Sequence, residues 1–417
     1  MKKYPTYKPS GVEWMGEVPE HWEVKKLKRL AKICNGQDHK NVWTEDGEYP
    51  IIGTGGEFGR ANSFLSNGPS VILGRKGTID KPQFIEHPFW SVDTAYFTQI
   101  YNFTDPKFFY YCCTTIQFDR YKYGSAVPSM TQETLNQIPF ATPPLPEQTA
   151  IATYLDRKTA QIDQTLAEKE RLIELFREER QAIINHAVTK GIRPGVKMKD
   201  SGVEWIGEVP EGWEVRSLHW LLSEPLKYGA NEPAEDDDPT QPRYIRITDF
   251  GDDGRLRDET FKSLPIEKAQ DYFLKEGDIL FARSGATVGK TFQFKNFEGQ
   301  ACFAGYLIKA SADREKLLSD FLYYFTKSNA YENWKNAIFN QATIQNIGAD
   351  KYRNLPIPLA SISEQREIIA YVNRKTTQID TAISGIQQEI ALLQEYRQAL
   401  IFEAVTGKID VREYTQN

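Results

Sequence analysis

The clearest pattern of apolar and polar positions lies in two stretches, one near the middle of the chain and one at its end. In the later stretch, heptad position a falls on Ile369, Thr376, Ile383, Ile390, Arg397 and Ala404, and position d on Val372, Ile379, Ile386, Leu393 and Leu400. The earlier stretch repeats this 217 positions upstream, with Ala152, Thr159, Leu166, Ile173, Arg180 and Ala187 at a, and Leu155, Ile162, Lys169, Phe176 and Ile183 at d. An apolar seam of period seven, sustained over about five heptads, predicts two long helices that pair. Each would run about 40 residues, or roughly 60 Å. Four a positions are polar: Thr159, Arg180, Thr376 and Arg397. Two readings are open for them, fixing register and orientation, or meeting a partner subunit. Prolines mark each helix entry (Pro143, Pro144 and Pro146; Pro356 and Pro358), and Ser363 is the predicted cap of the second helix.

Upstream of each helix the pattern mixes strand and helix signals. Tyr49-Pro50-Ile51-Ile52, Ser70-Val71-Ile72-Leu73, Tyr244-Ile245-Arg246-Ile247 and Asp278-Ile279-Leu280-Phe281 predict short strands that end in turns. Phe108–Tyr111 and Phe321–Phe325 predict buried helical faces, with an aromatic stacking platform as the alternative.

Self-comparison explains why these signals come in pairs. Ser10-Gly11-Val12-Glu13-Trp14 through Trp22-Glu23-Val24 returns as Ser201-Gly202-Val203-Glu204-Trp205 through Trp213-Glu214-Val215, at an offset of 191. Glu147-Gln148 and Glu364-Gln365, like the heptads that follow them, match at 217, so the second half is longer by 217 − 191 = 26 residues. The resulting expectation is an α+β protein: two pseudo-two-fold-related α/β globular domains separated by two long antiparallel coiled-coil helices. The expected boundaries are 1–146 and 201–361 for the domains, 147–190 and 362–410 for the helices, 191–200 for a linker and 411–417 for a tail. A repeated scaffold around unlike inserts suits the presentation of two different recognition surfaces in one frame.

Charge adds a restriction. The net charge is −6 over 417 residues, and the halves contain no basic arm: residues 1–146 hold 16 basic against 15 acidic side chains, and residues 199–361 hold 20 against 26. Contact with a polyanion must therefore come from local clusters or need a partner protein. Four cysteines without CxxC spacing argue against a disulfide framework or a zinc site. No apolar run reaches the roughly 20 residues of a membrane span, and Met1–Pro5 does not begin a signal peptide, so the expected location is the cytoplasm.

Three motifs resemble catalytic loops, and each fails at a named residue. Gly53-Thr54-Gly55-Gly56-Glu57-Phe58-Gly59 has no helical pattern after it and reads as a glycine-rich hairpin rather than a loop for S-adenosylmethionine or a dinucleotide. Ser284–Thr291 ends in Gly289-Lys290-Thr291 but has Ser284 where a phosphate-binding loop needs glycine. Thr142-Pro143-Pro144-Leu145 lacks both the amide or carboxylate and the aromatic ring that amino-group methylation of a base requires. The five histidines fall in no ligand or triad spacing. The chain reads as non-catalytic, without metal or cofactor of its own.

The entry motif, with Pro143-Pro144-Leu145-Pro146-Glu147-Gln148 and the helix running to Ala187-Val188-Thr189-Lys190-Gly191, resembles the specificity subunits of Type I restriction-modification systems over roughly residues 7–410. The resemblance implies two target recognition domains, each reading one half of a bipartite site in double-stranded DNA, with the helices setting half-site spacing. It also implies two modification subunits carrying adenine methylation with S-adenosylmethionine, and restriction subunits adding translocation and cleavage driven by ATP with Mg. Within this frame, Arg75 and Lys76 stand where Arg283 stands in the second half, at an offset of 208, in a glycine-containing turn after a strand. Such residues bind phosphate or guanine, with different consequences for specificity. Arg243, Arg246, Arg60 and Lys290 are further candidates, and Lys25-Lys26-Lys28-Arg29 is either a backbone contact or a solvated face. Two alternatives remain: a self-sufficient DNA methyltransferase or nuclease, and a coiled-coil scaffold with no role on DNA.

Overall fold

The two heptad segments form single helices, Leu145–Lys190 and Ile362–Val405, in a computed structural model that describes residues 2–124, 127–251, 254–285, 287–339 and 346–415. Along the second helix, every a and d side chain is buried or half-buried, and most positions between them are exposed. The seam read from the sequence is the seam of the fold. The first helix starts two residues before the expected boundary, because Pro146 fits a first helical turn where no amide partner is needed. The cap of the second helix is Ser361, whose Oγ accepts the Glu364 N–H at 3.3 Å. Ser363 was expected there, but the helix already begins at Ile362 and Ser363 lies exposed in its first turn. This helix stops at Val405, and the chain turns through Gly407 at φ +72°, where a Cβ would stand 2.3 Å from the Pro19 ring.

The chain divides into two compact units, Met1–Glu170 with Gln387–Asn417, and Arg171–Ile386. Each unit thus holds one globular domain together with a part of each long helix. Near each helix end the buried set widens beyond the a and d positions, since a globular domain packs there. In the first unit Ile151, Ala152, Tyr154 and Leu155 share a core with Leu400, Ile401, Ala404 and Val405. In the second, Ile184, Ala187 and Val188 share one with Ile368 and Val372. Each core therefore joins the start of one long helix to the end of the other, an antiparallel pairing. Each large aliphatic residue so buried contributes about 1.5–3 kcal/mol.

Both units repeat one sheet topology. In the first, strands Ala31–Asn35, Ala95–Ile100, Ser70–Gly74 and Gln83–Ile85 lie side by side in that order, all antiparallel. In the second the order is Lys227–Tyr228, Leu307–Ala310, Ile279–Ala282 and Thr291–Gln293, again antiparallel. Each unit adds a parallel pair, Tyr49–Gly53 with Trp90–Ser91 and Arg243–Ile245 with Ala301–Phe303. The extra length of the second unit lies mostly in one place. From Arg243 to Ile279 the chain takes 36 positions, against 21 from Tyr49 to Ser70, which accounts for 15 of the 26 extra residues. The aromatic segments form helices Pro106–Thr114 and Ser319–Phe325, with Phe108, Phe109, Phe321, Leu322 and Phe325 buried as core.

The repeated Glu-Gln pair locks these helices to the long ones. Gln148 is buried; its Nε2 donates to Pro143 O at 2.9 Å and its Oε1 accepts the Asp105 N–H at 2.9 Å, at the cap of the aromatic helix. Gln365 does the same in the second unit, donating to Ala360 O at 2.9 Å and accepting from Leu318 N–H at 2.8 Å. The entry motif is pinned beside it: Trp22 Nε1 donates to Glu147 at 3.2 Å, and strand Glu23–Lys26 pairs with Pro139–Thr142. Gln365→Ala leaves a buried amide and two carbonyls without partners, so it should lower the unfolding free energy by about 1–3 kcal/mol. Chemical denaturation should show this loss, and an unchanged midpoint would contradict the assigned role.

Candidate nucleic-acid interface

The two basic turns predicted to correspond do occupy one place in the two copies of the fold. Arg75 follows strand Ser70–Gly74, and Arg283 follows Ile279–Ala282. The Arg75 N–H donates to Thr94 O at 3.0 Å, and its carbonyl accepts the Met130 N–H at 3.0 Å. The Arg283 N–H donates to Tyr306 O at 3.0 Å, and its carbonyl accepts the Ile347 N–H at 2.8 Å. Lys76 and Ser284, the next residues, form antiparallel bridges to Ser129 and Asn346. Gly77 and Gly285 then take φ of +86° and +87°, a region that favours glycine. Main-chain bonds on both sides thus hold the turn whatever side chain it carries.

The side chains differ. Arg75 Nη1 reaches Asp93 O at 3.2 Å, and Lys76 is exposed. The Arg283 guanidinium lies 4.8 Å from the Tyr228 ring centroid, and its buried Nε has no hydrogen-bond partner among the described residues. Such stacking restricts a long side chain before any ligand arrives. The surroundings are exposed aromatics: Tyr123 beside the first turn, and Tyr228 with the 65% exposed Tyr306 beside the second. The sequence reading missed Tyr228 and Tyr306; a tyrosine's hydrophobicity gives no sign that its face will support an arginine.

The remaining candidates are committed elsewhere. Arg243 is only 6% exposed, lies between the Phe261 and Phe297 rings, and makes a 3.5 Å ion pair with Asp258. It braces the interior of the second unit with most of its side chain out of solvent. Arg246 grips the buried Asp249 carboxylate at 3.0 Å and also bonds Thr260 O. Arg60 holds Gly47 O at 3.0 Å, Glu48 O at 2.9 Å and Glu57 at 3.2 Å, bracing a loop. Lys290 donates to Phe250 O at 3.2 Å. Lys25 and Lys26 lie on a strand and Lys28 and Arg29 in a 3-10 turn, with Lys25 paired to Glu23 at 2.8 Å.

The polar a positions are tied within the chain. Arg397 bonds Asp163 through Nε and Nη2 at 2.8 and 3.1 Å, and Arg180 lies 3.7 Å from Asp380. Asp163 and Asp380 are themselves repeat partners. Thr159 Oγ1 lies 3.1 Å from the Tyr111 hydroxyl, which donates to Asp156 at 2.6 Å, and Thr376 bonds Asn373 O at 3.2 Å while Tyr324 donates to the Asn373 side chain. Partly exposed pairs of this kind contribute about 1 kcal/mol or less, so they orient the helices more than they stabilise them.

The motifs that resemble catalytic loops have other structures. Gly53–Gly59 spans the turn of the hairpin Tyr49–Gly53 and Gly56–Ala61. Lys290-Thr291 leads into strand Thr291–Gln293, not the helix a phosphate loop requires, and Ala286 lies outside the described residues. Thr142 Oγ1 bonds Phe140 O at 3.2 Å, and Leu145 opens the first long helix. Among the described residues no cluster of His, Cys, Asp or Glu has metal-ligand geometry, and no helix is long and apolar enough to cross a membrane. Cys112, Cys113 and Cys302 are buried and free, and burial pushes the Cys302 thiol up to about 12.

Comparison with known proteins agrees with this arrangement. The family model described as the Type I restriction modification DNA specificity domain matches twice, over residues 19–175 and 210–392. The chain is 21% identical over 425 residues to the Type I restriction enzyme EcoDI specificity subunit of Escherichia coli, covering 96% of this chain and 92% of that one. It is 23% identical to the MjaVIII specificity subunit of Methanocaldococcus jannaschii, covering 95% and 94%. Among solved structures, a chain from a study of assembly and conformational transition in the type I R-M system shares the fold, with a TM-score of 0.72 at 16% identity over 94% of this chain and 99% of that one. The HsdS subunit of Thermoanaerobacter tengcongensis gives a TM-score of 0.53 at 17% identity, over 94% and 98%. With the specificity-domain model matched in both halves, on two copies of one fold, this chain belongs to the Type I restriction-modification DNA specificity family.

Proposed function

We propose that this chain is the non-catalytic subunit that gives a Type I restriction-modification complex its DNA sequence specificity, each globular unit reading one half of a bipartite, asymmetric double-stranded site. The supporting observation is the basic turn: Arg75-Lys76 and Arg283 sit on identical main-chain supports in domains whose surrounding loops differ. Recognition of unlike half-sites needs a fixed presentation of variable side chains, and this arrangement supplies it. Arginine offers two parallel donors to the O6 and N7 of guanine in the major groove, while lysine acts as a point charge for phosphate. In this reading Arg283, already stacked, contacts a base edge, and the exposed Lys76 neutralises backbone.

Methylation with S-adenosylmethionine belongs in this reading to two modification subunits docked on the scaffold. Cleavage with ATP and Mg belongs to restriction subunits, and the assembly works in the cytoplasm. The long helices, whose lengths are fixed by matched heptads, set the number of unspecified base pairs between half-sites. The chain's net charge of −6 fits a subunit whose partners supply part of the cationic surface around DNA.

Two outcomes test the reading. Arg283→Ala should weaken binding by roughly tenfold or more for sites altered or matched at one half only. Competition binding with half-site variants reads this, and equal loss at both halves would contradict independent reading. Inserting seven residues into both helices lengthens each by about 10 Å, or about three base pairs. Methylation profiling should show a correspondingly longer spacer or no modification; full activity at the original spacing would count against the helices as the ruler.

A further inference from the structure

The repeat allows the side chains around the two basic turns to be compared place by place. Strand Ala31–Asn35 borders Ala95–Ile100 on the side away from Ser70–Gly74, and Lys227–Tyr228 borders Leu307–Ala310 in the same way. The registers correspond. Asn35 pairs with Tyr96, which pairs with Leu73, two residues before Arg75. Tyr228 pairs with Ile308, which pairs with Phe281, two residues before Arg283. Paired residues share a sheet face, as do residues two apart on one strand. Residue 35 or 228 therefore stands on the face toward which the alternation directs residue 75 or 283. The next residue is a glycine in both units, and a Cβ there would meet main chain, 1.9 Å from Val92 O at Gly36 and 2.2 Å from Phe303 O at Gly229. Backbone is thus fixed at this place, and only the side chain differs, Asn35 in one unit and Tyr228 in the other.

In the second unit that side chain reaches Arg283. The Tyr228 hydroxyl accepts the Ala349 N–H at 2.9 Å, and Ile347, two residues earlier, donates its N–H to the Arg283 carbonyl at 2.8 Å. One short segment thus anchors both the ring and the main chain of the arginine, and the guanidinium lies 4.8 Å from the ring centroid. Tyr228 stays 42% exposed, so the pair is open to a large ligand. The first unit uses the same segment differently. Met130 donates to the Arg75 carbonyl at 3.0 Å, but Gln132, two residues later, donates through Nε2 to Ile33 O at 2.6 Å. Asn35 is exposed and has no ring to offer, and Arg75 Nη1 reaches Asp93 O at 3.2 Å instead.

We propose that residue 228 is a specificity-determining position of the second unit: Tyr228 is a positioning residue that aims Arg283 at one guanine. The inference rests on the DNA-reading function. A guanidinium laid on an anchored ring has lost much of its freedom before binding, so little more is lost when it meets its target. Its two parallel donors then match the O6 and N7 of guanine and no other base edge in the major groove. Without the ring the same arginine turns readily to a phosphate, which carries no sequence information. Asn35, at the same place in the first unit, leaves Arg75 as the adaptable contact. The two half-sites therefore differ in how strictly the base opposite the turn is read.

The test uses the full chain assembled with its modification subunits. Methylation profiling gives the bases specified in each half-site, and competition binding measures discrimination at the base that Arg283→Ala relaxes. Tyr228→Asn, which installs the residue of the first unit, should reduce discrimination at that guanine by roughly five- to tenfold. The slope of log K against log salt should stay the same, because the charge of Arg283 remains. Tyr228→Phe keeps the ring and should restore most of the discrimination. In an Arg283→Ala background, Tyr228→Asn should have no further effect at that base. Ala286 and residues 340–345 lie outside the described residues, and this cycle reads the coupling of Tyr228 to Arg283 apart from them. Tyr228→Leu gives the same readings if Tyr228→Asn unfolds, with melting temperature as the check. Additive effects in the cycle, unchanged discrimination in the ringless variants, or relaxation at a base other than guanine overturns the inference. Arg283→Ala without effect on any base would refute base reading by the turn, and the inference with it. A guanine relaxed by Arg283→Ala but not by the ringless variants would refute the inference alone.

Discussion

Everything else in the fold depends on the antiparallel pairing of the two long helices at their ends. Neither core closes from a continuous stretch of chain. The first needs Leu400, Ile401 and Ala404 from the far end of the sequence against Ala152 and Leu155. The second needs Ile184 and Val188 against Ile368 and Val372. The apolar seam supplies the attraction, and seams of period seven are permissive about direction and register. Polar residues on the seam remove that freedom, since Arg397 finds Asp163 and Arg180 finds Asp380 in one register only.

That constraint separates what must stay from what is free to change. Gln148 and Gln365 tie each aromatic helix to the adjoining long helix through buried hydrogen bonds, and the four-stranded sheets keep one order. Variation falls on segments joining that framework, above all on the stretch between Arg243 and Ile279. The basic turn is held by its own main chain, so substituting its side chains need not disturb the sheet. Divergent specificity on one duplicated scaffold follows from this division of labour.

The seam, the duplication, the sheet strands and the corresponding turns were legible because each leaves a periodic or repeated trace. The cations were less so. Arg75 and Arg283 were picked out by repetition, whereas Arg243, Arg246 and Arg60 were picked out by charge and position beside strands. Charge does not report desolvation: Arg243 is stacked between rings and Arg246 grips a buried aspartate. The partners involved, Asp258, Asp249 and the carbonyls of Gly47 and Glu48, lie within about fifteen residues, yet no spacing rule marks them in advance. The cap at Ser361 rather than Ser363 shows a smaller limit, a two-residue uncertainty wherever two serines precede one helix.

In the proposed function, two equivalent turns on one repeated scaffold face the two halves of a single DNA site. Photo-crosslinking tests it most directly, with a photoreactive side chain placed at Lys76 in one preparation and at Ser284 in another, each assembled with modification subunits on DNA carrying the methylated host sequence. The account predicts adducts confined to one half-site for position 76 and to the other for position 284. Adducts from both positions at the same half, or none to DNA from either, would contradict it.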